Sequence, residues 1–131
     1  MREAVEGKAV ATERRRHPRF QALERALVQV TGNGFVLPFH LIDISEGGMA
    51  FRYLNENPLP LTDSKMDLYL DHDLLVGRLP VTVVDDQRLS NGFIPKRRCS
   101  VRFGTLTPAQ HIQLQSYIRC HVESVQSSPE R

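Results

Sequence analysis

Two short segments of the chain carry the residue types that could do chemistry. The first is Arg14-Arg15-Arg16-His17-Pro18-Arg19, a run of arginines with no acid among them. The second is Asp43-Ile44-Ser45-Glu46-Gly47-Gly48. An arginine stays charged and presents a planar fork of donors that matches a phosphate or the O6/N7 edge of guanine, and its plane can stack on a base. Asp43 is an acceptor that could take the N1–H and N2–H of a guanine, and Ser45 can donate or accept within a turn. Gly47 and Gly48 open backbone conformations and close approaches that a Cβ forbids. A carboxylate beside arginines suits a nucleotide better than a bare phosphate, which it would repel. Taken singly, each segment also has a plainer reading. An arginine run at the end of an arm is a solvated charge cluster, and Asp-x-Ser ahead of Gly-Gly is a turn that ends a strand.

The elements between the two segments decide whether they meet. Ala26 to Thr31 alternates, with Val28 and Val30 on one face, and reads as a strand. Gly32-Asn33-Gly34 signals a hairpin, because Gly and Asn tolerate the positive φ of tight turns. Phe35 to Ile44 alternates again, with Phe35, Leu37, Phe39 and Leu41 on a common face. A turn centred near Asn33 gives cross-strand partners whose numbers sum to about 66, which puts Asp43 opposite roughly residue 23. The arginine segment then folds back over residues 43–48, and the two segments share one end of the sheet.

Further strands are expected around Met49, Phe51 and Tyr53; Met66, Leu68 and Leu70; Leu79, Val81 and Val83; and Cys99, Val101 and Phe103. Residues 55–63, with Pro58 and Pro60, read as loop, as does Asp71-His72-Asp73. Gln87 to Pro95, with Asn91-Gly92, reads as an exposed hairpin turn. Six short period-2 segments point to an antiparallel barrel or sandwich. Thr107-Pro108-Ala109-Gln110 then starts a helix, with Thr as N-cap, Pro at the first helical position and Gln three residues after the cap. Leu114, Ile118, His121 or Val122, and Val125 recur at helical spacing, so one face should dock on the sheet. His111 and His121 are expected to pack there, His17 to sit in a loop, and Lys96-Arg97-Arg98 to face solvent.

At 131 residues the chain is expected to form one domain. Residues 1–13 read as a flexible arm, 14–125 as the domain (barrel 20–104, helix 107–125) and 126–131 as a disordered tail. A net charge of +2 argues against a strongly basic nucleic-acid binder and leaves a local anion site as the better reading. Cys99 and Cys120 lack a CxxC pattern and suit a reducing compartment. With no apolar leader or span, the expectation is a cytoplasmic protein without membrane insertion. No nucleophile–base pair, metal-ligand spacing or P-loop is present, so no enzyme, metal or cofactor is expected.

In this order the two segments resemble the RxxxR and D/NxSxxG signatures of the PilZ family, bacterial domains that bind cyclic di-GMP. Arg15-x-x-x-Arg19 matches the first and Asp43-x-Ser45-x-x-Gly48 the second, while Val101-Arg102-Phe103-Gly104 and the Thr-Pro helix look like the family's closing strand and C-terminal helix. The resemblance implies a mainly β fold, a six-stranded antiparallel PilZ-type β-barrel with a C-terminal α-helix. It implies cyclic di-GMP as ligand, with Arg15 and Arg19 on its phosphates and guanine edges, and Asp43, Ser45 and Gly48 holding a guanine, with Gly47 beside them. An arginine at the position of Arg14 implies an intercalated ligand dimer. The implied role is a receptor whose arm orders on binding and alters a surface for a protein effector, in motility, biofilm formation or exopolysaccharide output. Two alternatives stand beside it: a PilZ-like interaction module without nucleotide, and a small RNA- or DNA-binding barrel. The second lacks a clear aromatic platform.

Overall fold

The computed structural model describes residues 17–32, 38–61, 64–89 and 92–126, with backbone alone beyond Val122. Arg14 and Arg15, the 1–13 arm, the Asn33-Gly34 turn with Phe35 and Leu37, Asn91, and residues 127–131 lie outside that description.

Alternation builds the strands. β1 (Phe20–Gln21) is a short strand that the sequence pattern does not announce. β2 (Ala26–Val30) buries Ala26 and Val28, and β3 (Phe39–Ile44) buries Leu41 and Ile44. β4 (Gly48–Leu54) turns Met49, Phe51 and Tyr53 inward, and β5 (Ser64–Leu70) does the same with Met66 and Leu68. β6 (Asp73–Arg88) buries Val76, Leu79 and Val81, and β7 (Lys96–Phe103) buries Cys99, Val101 and Phe103. Every pairing is antiparallel, in the order β3-β2-β5-β6-β7-β4, and β4 returns to pair with β3. The result is a closed six-stranded antiparallel barrel filled by these side chains, with β1 added on the same side of β3 as β2.

The register near the candidate site follows the hairpin arithmetic to within two residues. Gln21 stands opposite Asp43, and Leu27 opposite His40. Between β1 and β2 the chain leaves the ladder in a turn closed by Ala26 N–H donating to Leu23 O at 3.0 Å. That excursion absorbs the residues by which the two registers differ.

β6 starts earlier than the apolar pattern suggests, because Gly77-Arg78 reads as a break. The break is a bulge: Met66 pairs with Leu79 but Leu68 with Val76, so Gly77 and Arg78 together oppose Asp67. Arg78 takes φ 59° and its N–H donates to Asp67 Oδ1 at 2.8 Å.

The helix α1 (Pro108–Gln126) begins with the expected reciprocal cap. Gln110 N–H donates to Thr107 Oγ1 at 3.1 Å and Thr107 N–H to Gln110 Oε1 at 2.9 Å. The Gln110 amide also donates to Gly77 O and Arg78 O, both at 3.0 Å, so the cap is tied to the β6 bulge. Leu114, Tyr117, Ile118 and His121 are buried against the barrel, and Tyr117 Oη donates to Tyr69 O at 2.8 Å. His111, expected to pack, faces solvent instead. Among the described residues no helix is long and apolar enough to cross a membrane.

Candidate functional site

A β-bulge decides which way Asp43 points. Leu41 is inside the barrel opposite Phe51, and unbroken alternation would send Asp43 inward as well. The register shift between Leu41 and Asp43 lets Asp43 stand opposite Ala50 on the outer wall and returns Ile44 to the core. On that wall the ladder runs Asp43, Ala50, Ser100, Asp85 across β3, β4, β7 and β6, with His40, Arg52, Arg98 and Gln87 as the next row.

Asp43 is held by two arginines. Arg19, immediately before β1, donates from Nη1 to Asp43 Oδ1 at 2.5 Å, and Arg98 on β7 donates from Nη2 to Oδ2 at 3.3 Å. Arg98 Nη1 also donates to Ser100 Oγ at 3.2 Å. Arg98 therefore bridges the two cross-strand neighbours of Ala50, which is fully buried although it lies outside the core cluster. Arg52 and Arg102 are exposed on the same wall and have no ion-pair partner among the described residues.

Ser45 and the glycines build the turn below this carboxylate. Ser45 is buried; its Oγ accepts Gly47 N–H at 3.1 Å and Gly48 N–H at 3.2 Å, while Ser45 N–H donates to Gly48 O at 2.8 Å. Neither glycine has the positive φ anticipated for such a turn, which among the described glycines occurs at Gly32. Their requirement is space. A Cβ on Gly48 would lie 2.3 Å from Val101 O of the neighbouring strand, and one on Gly47 would lie 2.9 Å from the His17 ring.

Two depressions flank the Arg19–Asp43 pair, and Arg19 borders both. One, of about 680 Å³, runs past His17, Ser45, Gly47, Gly48, Asp85 and Arg102. The other, of about 580 Å³, is bordered by Gln21, His40, Asp43 and Arg52. Of the candidate residues, the structure brings Arg19, Asp43, Ser45, Gly47 and Gly48 together; Arg14 and Arg15 lie outside the described residues.

The Lys96-Arg97-Arg98 cluster, expected to be solvating charge, is divided by the strand period. Arg98 faces outward to Asp43. Arg97 faces inward and is nearly buried, its Nε donating to Asp86 Oδ1 at 2.7 Å and its Nη1 to Glu56 O at 3.1 Å. The parity signal was present, since 97 continues the inward series 99, 101, 103. Tyr53 Oη donates to the other Asp86 oxygen and accepts Leu59 N–H at 3.3 Å, tying the 55–61 loop to the barrel mouth. Burial, reinforced by the hydrogen bond and charge of Asp86, pushes the Tyr53 phenol up to about 12. Burial, with Asp86 and Asp85 nearby, pushes the Cys99 thiol to about 12 and keeps it neutral. The Asp86 hydrogen bond raises Arg97 above its ordinary value.

The fold and this wall define a small closed barrel whose outer surface, rather than its filled interior, offers charged and donor-rich groups to a ligand. The family model described as PilZ domain matches residues 13–120, and the chain belongs to that family. PilZ domains are ligand-binding receptor modules. Among solved structures, the PilZ domain of Escherichia coli YcgR with c-di-GMP aligns with TM-score 0.63 and 19% identity, over 90% of this chain and 98% of that one. E. coli YcgR in complex with c-di-GMP aligns at 0.64 and 21%, over 89% and 50%. The K. pneumonia MrkH–c-di-GMP complex aligns at 0.66 and 17%, over 86% and 54%. The chain thus spans about half the length of those last two. A comparison with curated proteins returned no match.

Proposed function

We propose that this chain is a cyclic di-GMP receptor that binds the dinucleotide on the outer wall around Asp43. The observation that carries the reading is the outward carboxylate set between Arg19 and Arg98 by the β3 bulge. Guanine offers N–H donors to that carboxylate, and the phosphates of the same molecule suit Arg15 and Arg19. Family membership and the c-di-GMP complexes of similar fold support it.

In this reading Asp43 takes the guanine N1–H and N2–H, and Arg15 and Arg19 take phosphates and guanine edges. Ser45, Gly47 and Gly48 act chiefly through shape, keeping the turn low enough for the ligand to lie against it. Arg14 extends the cationic surface to a second, intercalated ligand. The segment carrying Arg14 and Arg15 closes over the bound dinucleotide, and the closed arm changes the surface offered to a protein effector. The chain then acts in the cytoplasm as a non-catalytic adaptor, with motility, biofilm formation or exopolysaccharide production as the regulated outputs.

Isothermal titration with cyclic di-GMP, with GMP and GTP as controls, tests the reading. Saturable heat with cyclic di-GMP alone is expected, with two ligands per chain, and with loss of binding in Arg15→Ala and Arg19→Ala variants that melt like the wild type. Arg14→Ala is expected to reduce the stoichiometry towards one. Normal binding by both Arg15→Ala and Arg19→Ala removes the site assignment. Absence of heat at two temperatures favours a module that works through protein contacts alone.

A further inference from the structure

We infer that Arg98 is a positioning residue for guanine recognition, acting through Asp43. The inference rests on the cyclic di-GMP reading and extends it to a residue outside both sequence motifs. Asp43 has two oxygens and two arginine partners, and the partners are held differently. Arg98 is rooted in β7, paired with Arg52 of β4 on one side and Gln87 of β6 on the other, and its second nitrogen is anchored on Ser100 Oγ at 3.2 Å. Its guanidinium thus joins the two residues that flank the buried Ala50 across the strands. Arg19 precedes the two-residue β1 and reaches Asp43 through Oδ1 alone.

The asymmetry assigns distinct roles. Arg98 fixes the plane of the carboxylate from one side and remains in place. Arg19 covers the other oxygen until the ligand's N–H groups replace it, which frees the Arg19 fork for a phosphate or a guanine edge. A carboxylate with a single rotatable anchor would otherwise face guanine in several orientations. Directionality of this kind gives discrimination between bases, more than overall attraction does.

The test is a double-mutant cycle read with two ligands, cyclic di-GMP and cyclic di-AMP, whose phosphates match but whose adenines lack the N1–H and N2–H donors. Arg98→Ala is expected to weaken cyclic di-GMP binding ~10-fold, the scale of one good base contact. It should leave the weak cyclic di-AMP binding unchanged, so that selectivity itself falls. In an Asp43→Ala background the Arg98 substitution should have no further effect on either ligand. Arg98→Lys should restore part of the selectivity, and Ser100→Ala, which only removes the anchor, should lower it less than Arg98→Ala does. An Arg98→Ala effect that is equal for both ligands, or that persists in full without Asp43, overturns the positioning role and makes Arg98 a phosphate or scaffold residue. A wild-type chain that binds neither dinucleotide overturns the receptor reading itself, and the cycle tells these failures apart.

Discussion

Gly48 and Gly47 are neighbours in one motif, yet the structure asks different things of them. At Gly48 a methyl group would meet a backbone carbonyl of β7, Val101 O, at 2.3 Å, and neither strand can retreat without breaking the β4–β7 ladder. Gly48→Ala is therefore expected to lower stability by about 1–3 kcal/mol, the usual range for overpacking. At Gly47 the obstacle is the His17 side chain, which can rotate away, so Gly47→Ala should change stability by less than about 1 kcal/mol. Urea unfolding of the two variants checks this; equal losses would show that Gly48 is a turn glycine and not a close-approach glycine. Ser45 fits the same logic. Its hydroxyl is occupied by the two glycine amides, and the motif is first a way of making a tight, low turn.

At the scale of elements, the β6–β7–β4 wall carries a charged assembly of Asp86, Arg97 and Tyr53 on its inner side. Removing one member of such a group leaves the other's charge stranded, whereas replacing both with apolar side chains can be nearly neutral. Arg97→Met should therefore lower the urea midpoint well below that of Asp86→Leu/Arg97→Met, although the double variant has lost more polar contacts. A double variant less stable than the single one would contradict this account.

These same elements show what the sequence could and could not disclose. Alternation around Val28, Leu41, Phe51, Met66, Val81 and Val101 was enough for six strands, and Thr107-Pro108-Ala109-Gln110 for the helix cap. The β3 bulge was illegible, because Ile42 differs in no way from a regularly paired residue. For the same reason parity alone puts Asp43 on the face of Leu41, and its outward aim becomes visible only with the bulge. Arg97 reads as surface charge only when charge outweighs parity, whereas Arg98 does face outward and its pairing with Asp43 has no signal in the sequence. Tyr117, three residues after Leu114, completes the buried face beside Ile118, a position that the four-residue step from Leu114 to Ile118 skips.

For the molecule as a whole, His121 couples the docking of α1 to pH. Its Nδ1 accepts Leu23 N–H at 3.1 Å, its ring meets Tyr117 edge-on with centroids 4.9 Å apart, and Nε2 has no partner among the described residues. Burial, and secondarily the charge of Arg25, hold its pKa below the ordinary histidine value. A depressed folded-state pKa means that the unfolded chain binds the proton more readily. The contribution is then complete above the unfolded value of about 6.5 and is lost as pH falls from there through the folded value. Protonation would also place a donor where Leu23 already donates. Thermal melts should accordingly fall between pH 7.5 and 5.5, and His121→Phe should flatten that slope while lowering stability at pH 7.5 through the lost Leu23 bond. A slope that His121→Phe leaves intact would assign the pH dependence to other groups.

The pairing of β4 with β7 has a practical consequence. Both motifs lie in the first half of the sequence, but Arg98 and the Val101 carbonyl against which Gly48 nests come from beyond the β6–β7 turn. A cut in that turn would leave one fragment with every signature residue and the other with none. The wall around Asp43 would be whole only when the two had reassembled. On the proposed cyclic di-GMP reading, the chain severed there becomes a two-part reporter in which dinucleotide binding reads out complementation, and a fragment selected by its motifs alone would be silent.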